Sequence, residues 1–179
     1  MMKKLENYFA IIYLTGCAIF LVPSLVFALD FKGIEIGKEY TTDYLESTYG
    51  LDCFESRELK EVSCTGDTTI ASNPAKIFIL QGASGKVKTI SVDFSTDNFD
   101  SIAEATLLKF GKPQRIDRPI LQNALNAKFR QISYTWYKKG NSMNLSKYND
   151  TISEGNFSIY SKEFSEEVDK NKSNKNKDI

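Results

Sequence analysis

The first 28 residues constrain this chain most. Lys3 and Lys4 precede an almost unbroken apolar run from Phe9 to Phe27, which closes with Val26-Phe27-Ala28. A basic start, an apolar middle and small residues before a cut are the pattern of a secretory signal. The pattern predicts a signal peptide over 1–28 and a mature start at Leu29. Two other readings use the same residues. Leu14-Thr15-Gly16-Cys17 fits a bacterial lipobox, in which the cysteine takes up lipid and becomes the new N-terminus. The run, about 20 residues, is also long enough to span a bilayer as an uncleaved anchor. All three export the remainder, so the chain is expected to be periplasmic or secreted. It touches the membrane only if Cys17 is lipidated or the leader is retained.

Export decides what the cysteines do. The chain has three, and Cys17 lies inside the leader. Cleavage leaves Cys53 and Cys64, an even count that an oxidising compartment is expected to join. Their spacing is too wide for a C-x-x-C redox pair, so the bond is read as a structural staple. It is expected to contribute about 2–3 kcal/mol by constraining the unfolded chain. The chain has no histidine. That removes Ser-His-Asp and Cys-His catalysis, imidazole metal sites and imidazole pH switching. No metal site and no cofactor are expected.

About 150 residues remain after the leader, room for one domain or two half-domains sharing a core. The stretch 29–38 reads as an extended lead-in between turn glycines Gly33 and Gly37. Helical spacing of Tyr40, Tyr44, Leu45 and Tyr49 predicts a helix over 41–49, capped by Thr41 or Thr42 and stopped by Gly50. The cysteine-bearing 51–66 reads as a hairpin or loop stapled at its base. Strand-forming residues over 75–94, with a turn at 82–85, make the clearest hairpin, and its second strand alternates with period two. It puts Ile90, Val92 and Phe94 on the core face. A second helix is predicted over 97–111, capped by Asp97 or Asn98. It presents Phe99, Ile102, Ala103, Thr106, Leu107 and Phe110 to the core, and Gly111 with Pro113 ends it. An irregular 112–128, with one helical turn near 121–125, leads to strands over 129–138, 142–148 and 156–163. The tail 166–179 is nearly devoid of apolar residues and reads as disordered.

The same order, a helix ending in glycine and then antiparallel strands, occurs twice. The expected fold is therefore α+β. Two α-β-β(-β) units stand in tandem, 29–95 with the disulfide and 96–165, with helices on one face of an antiparallel sheet. Gly33 to Gly37, the helix end at Gly50 and above all Phe99 to Pro113 resemble small periplasmic domains of the BamE/SmpA type. They also resemble the tandem fold of β-lactamase inhibitor proteins. The first copy departs from the pattern by lacking a proline after Gly50. The resemblance implies the fold and a general binding role, and it carries over no binding residue.

A neutral total of 23 basic and 23 acidic residues hides a polarised chain. Residues 29–67 hold ten acidic and four basic side chains, net −6; residues 109–139 hold eight basic and one acidic, net +7. Either the two segments face each other or lie solvated, or the second is an anion-facing surface. On the latter reading Arg115, Arg118, Lys128 and Arg130 are the candidate binding residues. The partner would be a protein or an anionic envelope component, since an exported chain does not meet nucleic acid. Tyr134, Trp136, Tyr137, Tyr148 and Tyr160 divide between core and surface by alternation. The expected function is an exported, non-enzymatic binding module in envelope assembly or inhibition. The alternative is a cell-wall carbohydrate hydrolase using paired acids such as Glu35/Glu39 or Asp97/Asp100.

Overall fold

The computed structural model describes residues 29–122 and 126–175. The leader, with its three processing readings, and part of the turn expected near 121–125 lie outside the described residues. Two short strands open the chain, β1 (Asp30–Phe31) and β2 (Ile34–Glu35), and pair with each other. Helix α1 (Thr42–Tyr49) precedes β3 (Asp52–Ser56), β4 (Glu61–Ile70), β5 (Asn73–Gln81) and β6 (Val87–Ser95). A 3-10 turn over Thr96–Asn98 leads into α2 (Phe99–Phe110). There follow β7 (Arg115–Asp117), β8 (Ile120–Gln122), β9 (Lys128–Arg130), β10 (Ser133–Lys138), β11 (Asn141–Ser146), β12 (Glu154–Tyr160) and α3 (Lys162–Lys175).

Eight of these strands form one antiparallel sheet in the order β3-β4-β5-β6-β12-β11-β10-β7, while β8 and β9 pair apart from it. The centre is the β6–β12 pairing, which sets Ile90 against Ile159 and Val92 against Phe157. Alternation places these four side chains on the core face with Ile77, Ile79, Met143 and Leu145, all buried. Phe94 also points there, opposite Gly155. A Cβ on Gly155 would run into the Phe94 ring. Gly155, expected in a turn, is therefore a strand residue that lets an aromatic ring lie across it.

Helices α1 and α2 cover the core face. Thr41 caps α1, its hydroxyl accepting from the Tyr44 N–H at 3.2 Å. Gly50, at φ 66°, ends it by donating to the Glu46 carbonyl. Helix α2 starts at Phe99 with Asn98, one of the two expected caps, at its cap position; Asn98 makes no side-chain cap bond, and Ser95 caps the 3-10 turn ahead of the helix. Phe99, Ile102, Ala103 and Thr106 are buried as predicted, whereas Leu107 and Phe110 are only half-buried.

Helix α3 departs from the one-face expectation. Phe164 stacks on Tyr160, whose neighbours in register, Thr89 and Ser142, belong to the opposite face of the sheet. The stretch from 166, read as a disordered tail, is helical as far as Lys175. Its first turns are held by the Phe164 ring and by Glu167, which pairs with Lys88 at 2.7 Å. A second difference lies in β4, which extends to Ile70 and turns directly into β5. The linking residues Ala71 and Ser72 both have positive φ, 47° and 65°. Such turns usually carry glycine or asparagine. Asn73 supports this one, donating to the Ala71 carbonyl at 2.9 Å and to Ser101 of α2 at 3.0 Å.

Candidate interface at the basic edge

The chain leaves the sheet after β7 and returns at β10. The excursion is an arm made by β8 and β9, with Ile120 opposite Arg130 and Gln122 opposite Lys128. The stretch expected as a single strand over 129–138 is thus two strands, broken at Gln131 and Ile132. The break has a local cause. Gln131 is buried, and its amide donates to the Tyr148 carbonyl at 2.6 Å while its carbonyl accepts from the Tyr148 N–H at 2.9 Å. Its own N–H reaches the Pro119 carbonyl at 3.0 Å. On the inner side of the arm, Phe129 meets the Tyr148 ring edge-on at 6.1 Å. One glutamine and one aromatic pair therefore root the arm to the loop between β11 and β12. Nothing in the local sequence marks Gln131 out, because a polar residue between strand-forming runs reads as a solvated position.

All four candidate cations sit on this edge and all are exposed: Arg115 on β7, Arg118 after it, and Lys128 and Arg130 on β9. Arg115 pairs with Asp117 at 2.7 Å. That hydrogen bond and the charge of Asp117 raise the guanidinium pKa above its ordinary value. Among the described residues, Arg118, Lys128 and Arg130 make no ion pair. Exposed apolar side chains lie between the charges, notably Ile116 and Ile120, the latter 65% exposed.

The acidic segment does not face them. Strands β3 and β7 are the two outermost strands of the sheet. Seven strand spacings separate them, about 34 Å. The one ion pair between the two charged segments among the described residues is Lys109 with Asp30, at 3.1 Å. It joins the end of α2 to the lead-in, not to the arm. The acidic β3–β4 hairpin and the cations of β7 thus lie at opposite ends of the sheet, while the acidic lead-in meets the basic segment at Lys109.

Cys53 and Cys64 are bonded and stand directly opposite each other across β3 and β4. Of the aromatic set, Trp136 is buried, its indole N–H donating to the Gly111 carbonyl at 2.9 Å. Tyr134 is half-buried and stacks on Phe99. Tyr137 is exposed on β10. The acid pairs considered for hydrolysis lie elsewhere. Glu35 pairs with Lys38 at 3.6 Å, and Asp97 and Asp100 are exposed at the start of α2. Neither pair lines the cleft at the lead-in or the one beside Trp136.

The larger cleft, about 290 Å³, lies between the lead-in, the end of α1 and β4–β5. This is at the small end of the range for ligand sites. Lys32 donates to Thr69 there at 2.9 Å, and the Tyr49 hydroxyl donates to the Lys32 carbonyl at 3.4 Å. Burial and the neighbouring Tyr44 raise the Tyr49 pKa, so this phenol remains a neutral donor. Among the described residues no group of three acids or cysteines could hold a metal ion. No helix among them is long and apolar enough to cross a membrane. The chain matches no protein-family model, no curated protein and no solved structure.

Proposed function

We propose that this chain is an exported, non-enzymatic protein-binding module, periplasmic or secreted, acting in envelope assembly or as an inhibitor-like partner. It meets an acidic protein or an anionic envelope component through the arm and edge formed by β7, β8 and β9. The observation that carries this reading is the position of the basic edge. Arg118 follows β7, the outermost strand opposite β3, and Lys128 and Arg130 lie on β9 of the adjoining arm, all three without an ion pair among the described residues. Charges arranged so steer a complementary partner and fix its register more than they stabilise the fold. The bonded cysteines suit an oxidising compartment.

The architecture belongs to the same proposal. The sheet consists of two four-strand meanders, β3 to β6 and β7-β10-β11-β12, that join through their last strands. Each follows a helix that ends at a glycine of positive φ, Gly50 and Gly111. This is the order expected of two tandem α-β units like those of the BamE/SmpA and β-lactamase inhibitor families, with α3 added on the other face.

The test is capture from the native envelope with the wild-type protein and with Arg118→Glu/Arg130→Glu. The wild type should retain an acidic component at low salt and release it as salt rises, because exposed charges are screened over about 8 Å at physiological ionic strength. The double variant should retain little. Equal capture by both proteins would refute the proposed interface.

A further inference from the structure

We infer that the acidic surface matching the basic edge is carried by a second copy of this chain, on its β3–β4 hairpin. The inference rests on the functional reading above and names the partner of the same edge. At the opposite end of the sheet the hairpin exposes two large apolar side chains, Phe54 at 72% and Leu59 at 66%. Asp52, Glu55 and Glu58 are exposed around them and make no ion pair among the described residues. Helix α1 adds Asp43 and Glu46 beside β3. With Arg57 and Lys60 counted, this surface carries a net charge of −3. The basic edge, Arg115, Arg118, Lys128 and Arg130 with Asp117, carries +3 and exposes Ile116 and Ile120. Each end thus offers apolar side chains among charges, and the net signs are opposite.

Within one molecule the outermost strands β3 and β7 cannot meet across about 34 Å of sheet. Between copies they can, and a neutral chain brings no net repulsion to the encounter. The disulfide holds β3 against β4, so the hairpin docks with little loss of conformational freedom. Simple strand addition at this edge is hindered, because the Glu46 carboxylate already accepts the outward Cys53 N–H at 3.3 Å. The contact is therefore made by side chains of the hairpin, Phe54, Leu59, Glu55 and Glu58, against the arm. Such a contact is head-to-tail, and it propagates into short chains unless its rotation closes a ring.

Sedimentation velocity of the exported protein, as the cell processes it, tests this over a range of concentrations at low and physiological salt. The wild-type average mass should rise with concentration and fall back toward the monomer as salt rises. Arg118→Glu/Arg130→Glu and Glu55→Lys/Glu58→Lys should each weaken association at least about tenfold at unchanged circular dichroism and Tm. An equimolar mixture of the two variants should regain association, since each then supplies the charge the other lacks. A wild type that stays monomeric into the millimolar range overturns the inference, as does a mixture no better than its components. If the wild type is monomeric yet Arg118→Glu/Arg130→Glu loses an envelope component, the self-partner is refuted and the functional reading survives. If the arginines affect neither, both fall.

Discussion

Gly155 shows how one residue can decide a strand junction. It lies opposite Phe94 in the central pairing, and the ring occupies the space a side chain would take. Gly155→Ala should destabilise the protein by about 1–3 kcal/mol, the usual cost of overpacking a filled core. Urea denaturation measures it, and a neutral result would mean that the ring is free to move. The turn between β4 and β5 makes the opposite forecast. Ala71 and Ser72 sit in a left-handed region that costs an ordinary residue about 1–2 kcal/mol. Ser72→Gly should therefore stabilise, by about 1 kcal/mol. Asn73→Ala, which removes the bonds holding that turn, should destabilise by a similar amount. In α2, Phe99 is buried and Phe110 half-buried. Phe99→Ala should cost about 3–5 kcal/mol and Phe110→Ala roughly half of that.

At the scale of elements, identifiable interactions hold α3 and the β3–β4 hairpin. Lys88 reaches Glu61 at 2.8 Å and Glu167 of α3 at 2.7 Å, with Phe164 stacked against its ammonium. Burial disfavours the Lys88 charge, but the hydrogen bonds to Glu167 and Glu61 outweigh it and raise the pKa above 10.5. A raised lysine pKa stabilises the docked helix fully below the unfolded value and is lost as pH rises through the folded one. Helix α3 should thus hold at neutral pH and loosen in alkali above about pH 10.5. Circular dichroism should show that loss in the wild type. Lys88→Gln should lack it and be cut by trypsin within 162–175 already at neutral pH. For the hairpin, replacing Cys53 and Cys64 by alanine should cost about 2–3 kcal/mol. Labelling of the denatured exported protein should find no free thiol at either position.

For the molecule as a whole, the sheet separates the acidic β3–β4 hairpin from the cations of β7. Had acidic groups faced the arm, reversing its cations would bring like charges together and lower Tm. With Arg118 and Arg130 exposed and without an ion pair among the described residues, Arg118→Glu/Arg130→Glu should leave Tm unchanged, because isolated surface charges contribute little to folding. A calorimetric scan checks this, and a clear drop would place acidic groups close to the arm. Gln131 extends the argument from charge to position. Gln131→Ala removes the bonds that root the arm, so partner association should weaken even though all four cations remain. Weaker association at an unchanged Tm would separate this positioning role from a general loss of stability.

Local chemistry determined much of this protein before any tertiary contact. Thr41 and Gly50 bound α1 because capping and left-handed backbone depend on the residue at the helix end. Alternation over β6 assigned the core face, since neighbouring side chains on a strand point to opposite sides. The even cysteine pair after the expected cleavage pointed to the staple between β3 and β4. The tertiary structure decided what depends on residues distant in sequence. Gly155 is a strand residue because Phe94, some 60 positions earlier, lies over it. Gln131 breaks a strand because Tyr148 offers it both halves of a backbone amide. Helix α3 forms in a polar tail because Lys88 and Tyr160 hold its first turns. The two blocks of charge were legible in the sequence, but the separation of β3 from β7 was not. Which strands lie at the edges of a sheet is fixed by the central β6–β12 pairing, a contact between segments that no local pattern connects.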